Sequence, residues 1–341
     1  MTTRPGMARL ARRSRRGGLP YVLLVVMLLV FVVLPVVAGQ QVTSFNYYNL
    51  FQVFASLGLL SVALGLTMIA GEFDLSVLGT YAFAGLVAVK LGADDPVVGL
   101  LAALVLAALI GALQGALVAW FRLPSAAVSL GVYIALLGLT ATISDSKTVP
   151  YNNLNVSDVL DRQYLEIFSL RSIIAILAVA AIAVTMTYTR FGRDVRAIGS
   201  DRRASLRIGV RVDSILVVLF VLSALLSALG GSMLALSLAA ATPDPGFDPL
   251  IFALTAVLLG GVSLRGGTGT VLGIAAGILT LSLLRELLTV LATPTYVSSL
   301  ATGGLLLVVA FAAAPGLNAW WLSMRRPTKR VAEPPSLSRV G

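Results

Sequence analysis

Charged side chains are scarce in this chain, and several fall where a bilayer would make them expensive. Glu72 and Asp74 lie in AGEFDLS between two apolar runs, and Arg285 and Glu286 lie inside LSLLRELLTVL. Carboxylates so placed are what a proton- or sodium-coupled carrier uses as coupling sites. A helix start at the interface accounts for Glu72 and Asp74 as well, because acidic groups stabilise the positive end of a helix. Arg285 and Glu286 are neighbours in sequence and point in different directions on a helix, so they are not a mutual pair. The stretch GGVSLRGGTGT matches a phosphate-binding loop at Gly261, Gly266 and Thr268, but Gly267 stands where the lysine belongs. Without that charge, and with apolar flanks in place of a strand, the glycines are expected to form a tight turn that lets two helices approach closely.

The sequence has no histidine and no cysteine. Imidazole acid–base chemistry, thiol nucleophiles, thiolate zinc sites and disulfides are thereby excluded. No nucleophile–base pair and no metal-ligand spacing emerges, so no catalytic residue, metal or cofactor of the chain's own is expected. What remains is one basic concentration, RFGRDVRAIGSDRRASLRIGVRVDS from Arg190 to Ser214, with seven arginines. In a soluble protein of net charge +10 it would point to nucleic acid.

The elements around it change that reading. The 341 residues are 58% hydrophobic and 12% charged, and apolar runs of the length that crosses a bilayer recur along them. With several that are short or broken by Gly and Pro, they cover Pro20–Ala38, Leu50–Ala70, Leu75–Leu91, Val97–Phe121, Ser125–Ile143, Ser172–Thr189, Ser214–Ala241, Leu250–Ser263, Thr270–Leu291 and Val297–Ala314. Val36 and Ala38 sit where a signal peptidase could cut, but the first run is longer than a usual signal-peptide core, so it is kept as a helix. The expected fold class is an all-α polytopic membrane protein of about ten transmembrane helices, with both termini cytoplasmic. On that topology the N-terminal tail, Arg122, the arginine-rich stretch, Arg265 and the residues after Ala314 hold 20 of the 25 Lys and Arg on the cytoplasmic side. The charge then marks topology, and the expected partner is the lipid bilayer, with no nucleic acid. Three regions follow: a basic tail at 1–19, a transmembrane domain at 20–314 and a second tail at 315–341. Phe45, Tyr47, Tyr48 and Phe51 flank the outer start of the second helix, and Trp320 and Trp321 follow the last. The long outer loop is 144–170; its Asn155-Val156-Ser157 sequon carries no weight.

PSAAVSL from Pro124 resembles PTYVSSL from Pro294, and FDLSVLGTYAFAG from Phe73 resembles FDPLIFALTAVLLGG from Phe247. Five helices separate the copies, and an odd shift makes the halves run oppositely, an inverted repeat of helices 2–5 and 7–10. Chance matching of Leu-, Ala- and Gly-rich text is the alternative. Within the loop at 190–213, Ser200 or Asp201 is the expected N-cap, Arg202–Ile208 a short helix and Gly209 its stop. Ala204, Leu206 and Ile208 would offer small and apolar surface framed by Arg202, Arg203 and Arg207. That is the form of a docking element, and also of a plain solvated positive loop.

Four motifs in order carry a resemblance. Gly71-Glu72-Phe73-Asp74-Leu75-Ser76 resembles G-G-x-D-L-S, and Arg122-Leu123-Pro124-Ser125 with Ser129-Leu130-Gly131 resembles R-L-P-[PS]-x-x-V-[ST]-L-G. Thr189 to Arg193 followed by Ala197, Gly199, Ala204 and Gly209 resembles T-x-[FY]-G-R with its A-x-G…A…G sequel, and Leu259–Leu264 with Gly266, Gly267 and Gly269 resembles L-G-G-x-S-L-x-G-G-x-G. Together they are similar to the ribose-type permeases of bacterial ABC importers, within the branched-chain amino acid permease superfamily. The resemblance implies a multi-pass permease of the bacterial cytoplasmic (inner) membrane with no ATPase of its own. It would pair with a second permease copy or paralogue and with ABC ATPase subunits that bind ATP and Mg. An extracytoplasmic solute-binding protein would hand it a monosaccharide or similar polar molecule. Gly199, Asp201, Arg202, Arg203, Ala204, Leu206, Arg207 and Gly209 would then form the coupling helix and its frame. The polar members of the motifs and the repeat, Asp74, Ser76, Ser125, Ser129, Ser298 and Ser299, are candidates for the translocation path. Glu72 departs from the motif, replacing a glycine.

Overall fold

The computed structural model describes residues 5–313, with side chains placed from Gly18 to Phe311; Trp320, Trp321 and the tail at 315–341 lie outside the described residues. The described residues are mostly helical. α1 (Pro5–Val37) runs through the basic segment into the first apolar run. α2 (Ser44–Val53) and α3 (Leu59–Ile69) are joined into one rod by a π turn at Phe54–Gly58. α4 (Ser76–Leu91), α5 (Pro96–Ala119) and α6 (Ser125–Ser144) follow, then β1 (Val149–Pro150), α7 (Leu154–Asp161) and α8 (Leu170–Tyr188). Polar α9 (Arg190–Ser200) and α10 (Arg202–Arg207) lead to α11 (Val212–Ser237), β2 (Ala240–Ala241), α12 (Asp248–Leu259), α13 (Val271–Val290) and α14 (Thr295–Ala313). Among the described residues, seven helical segments are long and apolar enough to cross a membrane, and α4, α12 and α14 are shorter apolar helices.

Three boundaries differ from the sequence reading, each for a local reason. The second rod begins at Ser44, not Leu50, because the Thr43 backbone N–H and hydroxyl both donate to Asn46 Oδ1, at 2.8 and 2.9 Å, and cap an extra turn and a half. Phe45, Tyr47, Tyr48 and Phe51 thus lie within α2 instead of flanking it. The loop at 144–170 holds β1 and α7. The basic stretch before Ser200 is itself helical, with Gly192, Val195 and Ile198 turned inward, Arg190 and Arg193 exposed, and Arg196 donating to the Met186 carbonyl at 2.9 Å.

α5 shows how such helices pack in lipid, where apolar surface alone gives no preference for a neighbouring helix over a fatty-acid chain. Gly99, Ala103, Ala107, Gly111, Gly115 and Ala119 recur every four residues and are buried. A Cβ at Gly111 would lie 2.7 Å from the Phe220 carbonyl oxygen, and one at Gly115 2.8 Å from Val217 Cα, so this ridge brings α5 into backbone contact with α11. Leu101, Val105, Leu109 and Leu113 face outward from the other side. Within the bundle α3 is buried along its whole length among α4, α11, α12 and α13.

Loops gather at two ends. At one, the Gly267 amide donates to the Ile69 carbonyl at 2.9 Å. A Cβ on Gly199 would sit 2.0 Å from the same carbonyl, and one on Gly266 2.5 Å from Gly71 Cα. Gly71, Gly266 and Gly267 have φ of +81°, +78° and +74°, which glycine alone adopts without strain. The GGVSLRGGTGT stretch is therefore a tight turn between α12 and α13. At the opposite end β1 pairs antiparallel with β2, Val149 against Ala241, and Tyr151 donates to the Gly92 carbonyl at 2.9 Å. α4 leaves the glycine junction and α12 enters it, although the two begin at matching Phe-Asp pairs.

Candidate functional site

α10 is built from local signals. Asp201 is its N-cap, accepting from the amides of Arg203 and Ala204 at 2.9 and 3.0 Å, and Gly209 stops it at φ +83°. The helix ends at Arg207 with Ile208 as its C-cap. Ser205 faces inward, while Arg203, Ala204, Leu206, Arg207, Ile208 and Gly209 are exposed. The glycine junction fixes its base, since Gly199 is wedged against Ile69 and Gly267 two residues before the cap. The result is a short rigid projection whose free face is small, apolar and basic.

Arg202 has a separate task. Its guanidinium meets Glu72 at 3.3 Å and Asp213 at 3.8 Å, tying the first residue of α10 to the loop before α4 and to the start of α11. The residue that departs from the G-G-x-D pattern is thus the one that holds α10 down. Burial pushes the Glu72 carboxyl above its usual range, opposed by a hydrogen bond from Ser125 and by the Arg202 charge.

The path candidates separate into two groups. Asp74 is 2% exposed. Its Oδ1 accepts from the Ser76 amide and hydroxyl and from Gln114 of α5, at 3.0, 2.6 and 2.9 Å, and its Oδ2 accepts from Ser223 of α11 at 3.0 Å. Ser125 accepts from the Phe73 amide at 3.0 Å, and Ser129 donates to the Phe73 carbonyl at 3.1 Å. These four residues form one cluster that clamps the 72–76 turn. Ser298 and Ser299 are not part of it. They lie in the first turns of α14, which packs on α12 and α13, with Ser298 half-buried and Ser299 exposed.

Arg171 and its partners were not singled out in the sequence. Arg171, in the first turn of α8, is 5% exposed and meets Asp161 of α7 at 3.3 Å. It also donates to Gln52 at 3.2 Å and to Ser56 inside the π turn at 3.0 Å; such turns are frequent at functional sites. A cleft of about 310 Å³ opens between α4 and α11 at the β1–β2 end, with Thr242 and Asp244 as polar lining and Gly85 and Gly231 as its floor. Glu286 accepts from Asn46 at 2.8 Å, while the Arg285 guanidinium lies 4.6 Å from the Phe252 ring centre, so the two charges engage different partners. Among the described residues no group of His, Cys, Asp and Glu could hold a metal ion.

A bundle of apolar helices, seven of its segments long enough to span a bilayer among the described residues, defines a multi-pass membrane protein. Comparison with known families makes this specific: the chain belongs to the family described as branched-chain amino acid transport system / permease component, which it matches over residues 46–310. It is 28% identical over 309 residues to the L-arabinose ABC transporter permease protein AraH of Azospirillum brasilense, covering 88% of this chain and 91% of that one. It is 30% identical over 294 residues to the autoinducer 2 import system permease protein LsrC of Photorhabdus luminescens, covering 84% and 87%. It is 26% identical over 276 residues to the fructose import permease protein FrcC of Rhizobium meliloti, covering 78% and 76%. The chain is a permease component of an ABC transporter and a multi-pass protein of the inner membrane.

Proposed function

We propose that this chain is the membrane permease of an ATP-driven importer that moves a monosaccharide or similar small polar solute inward. Ten helices cross the membrane in this reading. The arginine-rich end and both termini face the cytoplasm, and helices 2–5 and 7–10 form inverted halves, which the opposite directions of α4 and α12 support. ATP and Mg are bound by separate ATPase subunits, two of which serve a pair of permeases, and a solute-binding protein delivers substrate at the β1–β2 end. α10 is the coupling helix: Ala204, Leu206 and Gly209 enter a cleft of the ATPase, Arg203 and Arg207 frame the contact, and Asp201, Arg202 and Gly199 hold the helix in place. Asp74, Ser76, Ser125 and Ser129 position the turn that receives α10, and Ser298 and Ser299 border the solute path.

The observation that carries this reading is the exposed, capped and doubly anchored α10 inside a family match spanning 46–310. The sugar names of the relatives direct the substrate class. Reconstitution with the ATPase and binding protein tests it: uptake must require ATP, and uptake driven by an ion gradient in vesicles holding this chain alone would overturn it.

A further inference from the structure

At its Ile208–Gly209 end α10 borders a groove whose other lining residues the coupling contact does not use. This groove, of about 580 Å³, runs between α9 and the first turns of α11. Its polar rim is formed by Arg190, Arg211 and Ser214, and its floor by Phe191, Ile215 and Val218. Arg190, Arg211 and Ser214 are exposed, and among the described residues neither arginine makes an ion pair. Asp194 is the acidic side chain in the lining, so two guanidiniums face one carboxylate.

Two further observations identify the occupant. Exposed aromatics, Tyr188 at the end of α8 and Trp120 and Phe121 after α5, sit at this same end, where tyrosine and tryptophan mark the boundary between membrane and water. Below the arginines the groove continues as an incompletely covered apolar track along α11, formed by Ile215, Val218, Leu222 and Leu225 at helical spacing. A paired cationic rim at the boundary with an acyl-length track beneath it is complementary to one amphiphile of negative head and apolar tail. We propose that this groove binds an anionic phospholipid, its phosphate held by Arg190, Arg211 and the Ser214 hydroxyl and one acyl chain lying along α11. The lipid would brace the junction of α9, α10 and α11.

The test uses the full chain in mixed micelles, comparing phosphatidylglycerol with phosphatidylcholine by native mass spectrometry. The wild type is expected to retain phosphatidylglycerol selectively, and Arg190→Gln/Arg211→Gln to lose that preference by about thirtyfold, the effect of two basic residues at a membrane surface. Arg193→Gln, off the groove, is expected to keep it. A second measurement leaves the arginines in place: a photoactivatable phosphatidylglycerol should crosslink to the α11 peptide containing Ile215 and Val218. Equal retention by the double variant, crosslinks elsewhere only, or displacement of the lipid by inorganic phosphate as readily as by phosphatidylglycerol would each overturn the proposal. So would loss of the crosslink in the assembled complex with the ATPase, which would assign the groove to that subunit.

Discussion

Ala204 is the third residue of α10, where an acidic side chain favours the helix start instead of opposing it. Ala204→Asp is therefore expected to leave the permease folded while replacing the small side chain of the docking face with a charged one that draws Arg207 away from the contact. ATP-driven uptake should fall by at least about tenfold, the equivalent of 1.4 kcal/mol lost at the contact, with the thermal midpoint unchanged; normal uptake would remove α10 from coupling. Gly209→Pro is a poorer probe, because proline cannot adopt φ +83° and the Gly209 amide donates to the Leu206 carbonyl at 3.1 Å. At Glu72 the buried carboxyl binds its proton more tightly in the folded state than in the unfolded chain. Stability should accordingly fall as pH rises from about 4.5 through the raised value. Glu72→Gln is expected to flatten that slope in thermal unfolding measured from acid to neutral pH, and superimposable profiles for variant and wild type would show that Glu72 does not titrate in this window.

At the scale of elements, α10 was legible because its cap, body and stop lie within nine residues. The ion pair that anchors it was not, since Glu72 and Arg202 are 130 residues apart and pairing at that separation has no local signature. The Asp74 clamp was half legible: Gln114 is visible as a polar residue in an apolar run, but nothing local directs it or Ser223 to Asp74. α9 was read as loop because its arginines hid the 3.6-residue spacing of its inward face. The α5 ridge makes a sharp prediction. Gly111→Leu should destabilise the protein by about 1–3 kcal/mol through overpacking against α11. Leu109→Ala, on the exposed side, should shift stability by no more than about 0.5 kcal/mol. Equal effects in thermal unfolding would mean that the ridge is not an interface.

For the whole molecule the positions of the ends matter most. The chain lacks cysteine, so single replacements report cleanly. Arg203→Cys and Leu165→Cys, at opposite ends and both exposed, should react with a membrane-impermeant maleimide from opposite sides of sealed vesicles. Labelling of both from one side would break the topology. The glycine junction adds a consequence for how motion crosses this molecule. Side-chain contacts tolerate displacement because rotamers can relax, whereas at Ile69, Gly199 and Gly267 main chain rests on main chain with no intervening atoms to yield. A push on α10 has no cushion there. It arrives at the ends of α3 and α12 and at the start of α13 with almost no backlash, which makes the least decorated residues of the bundle its stiffest mechanical linkage.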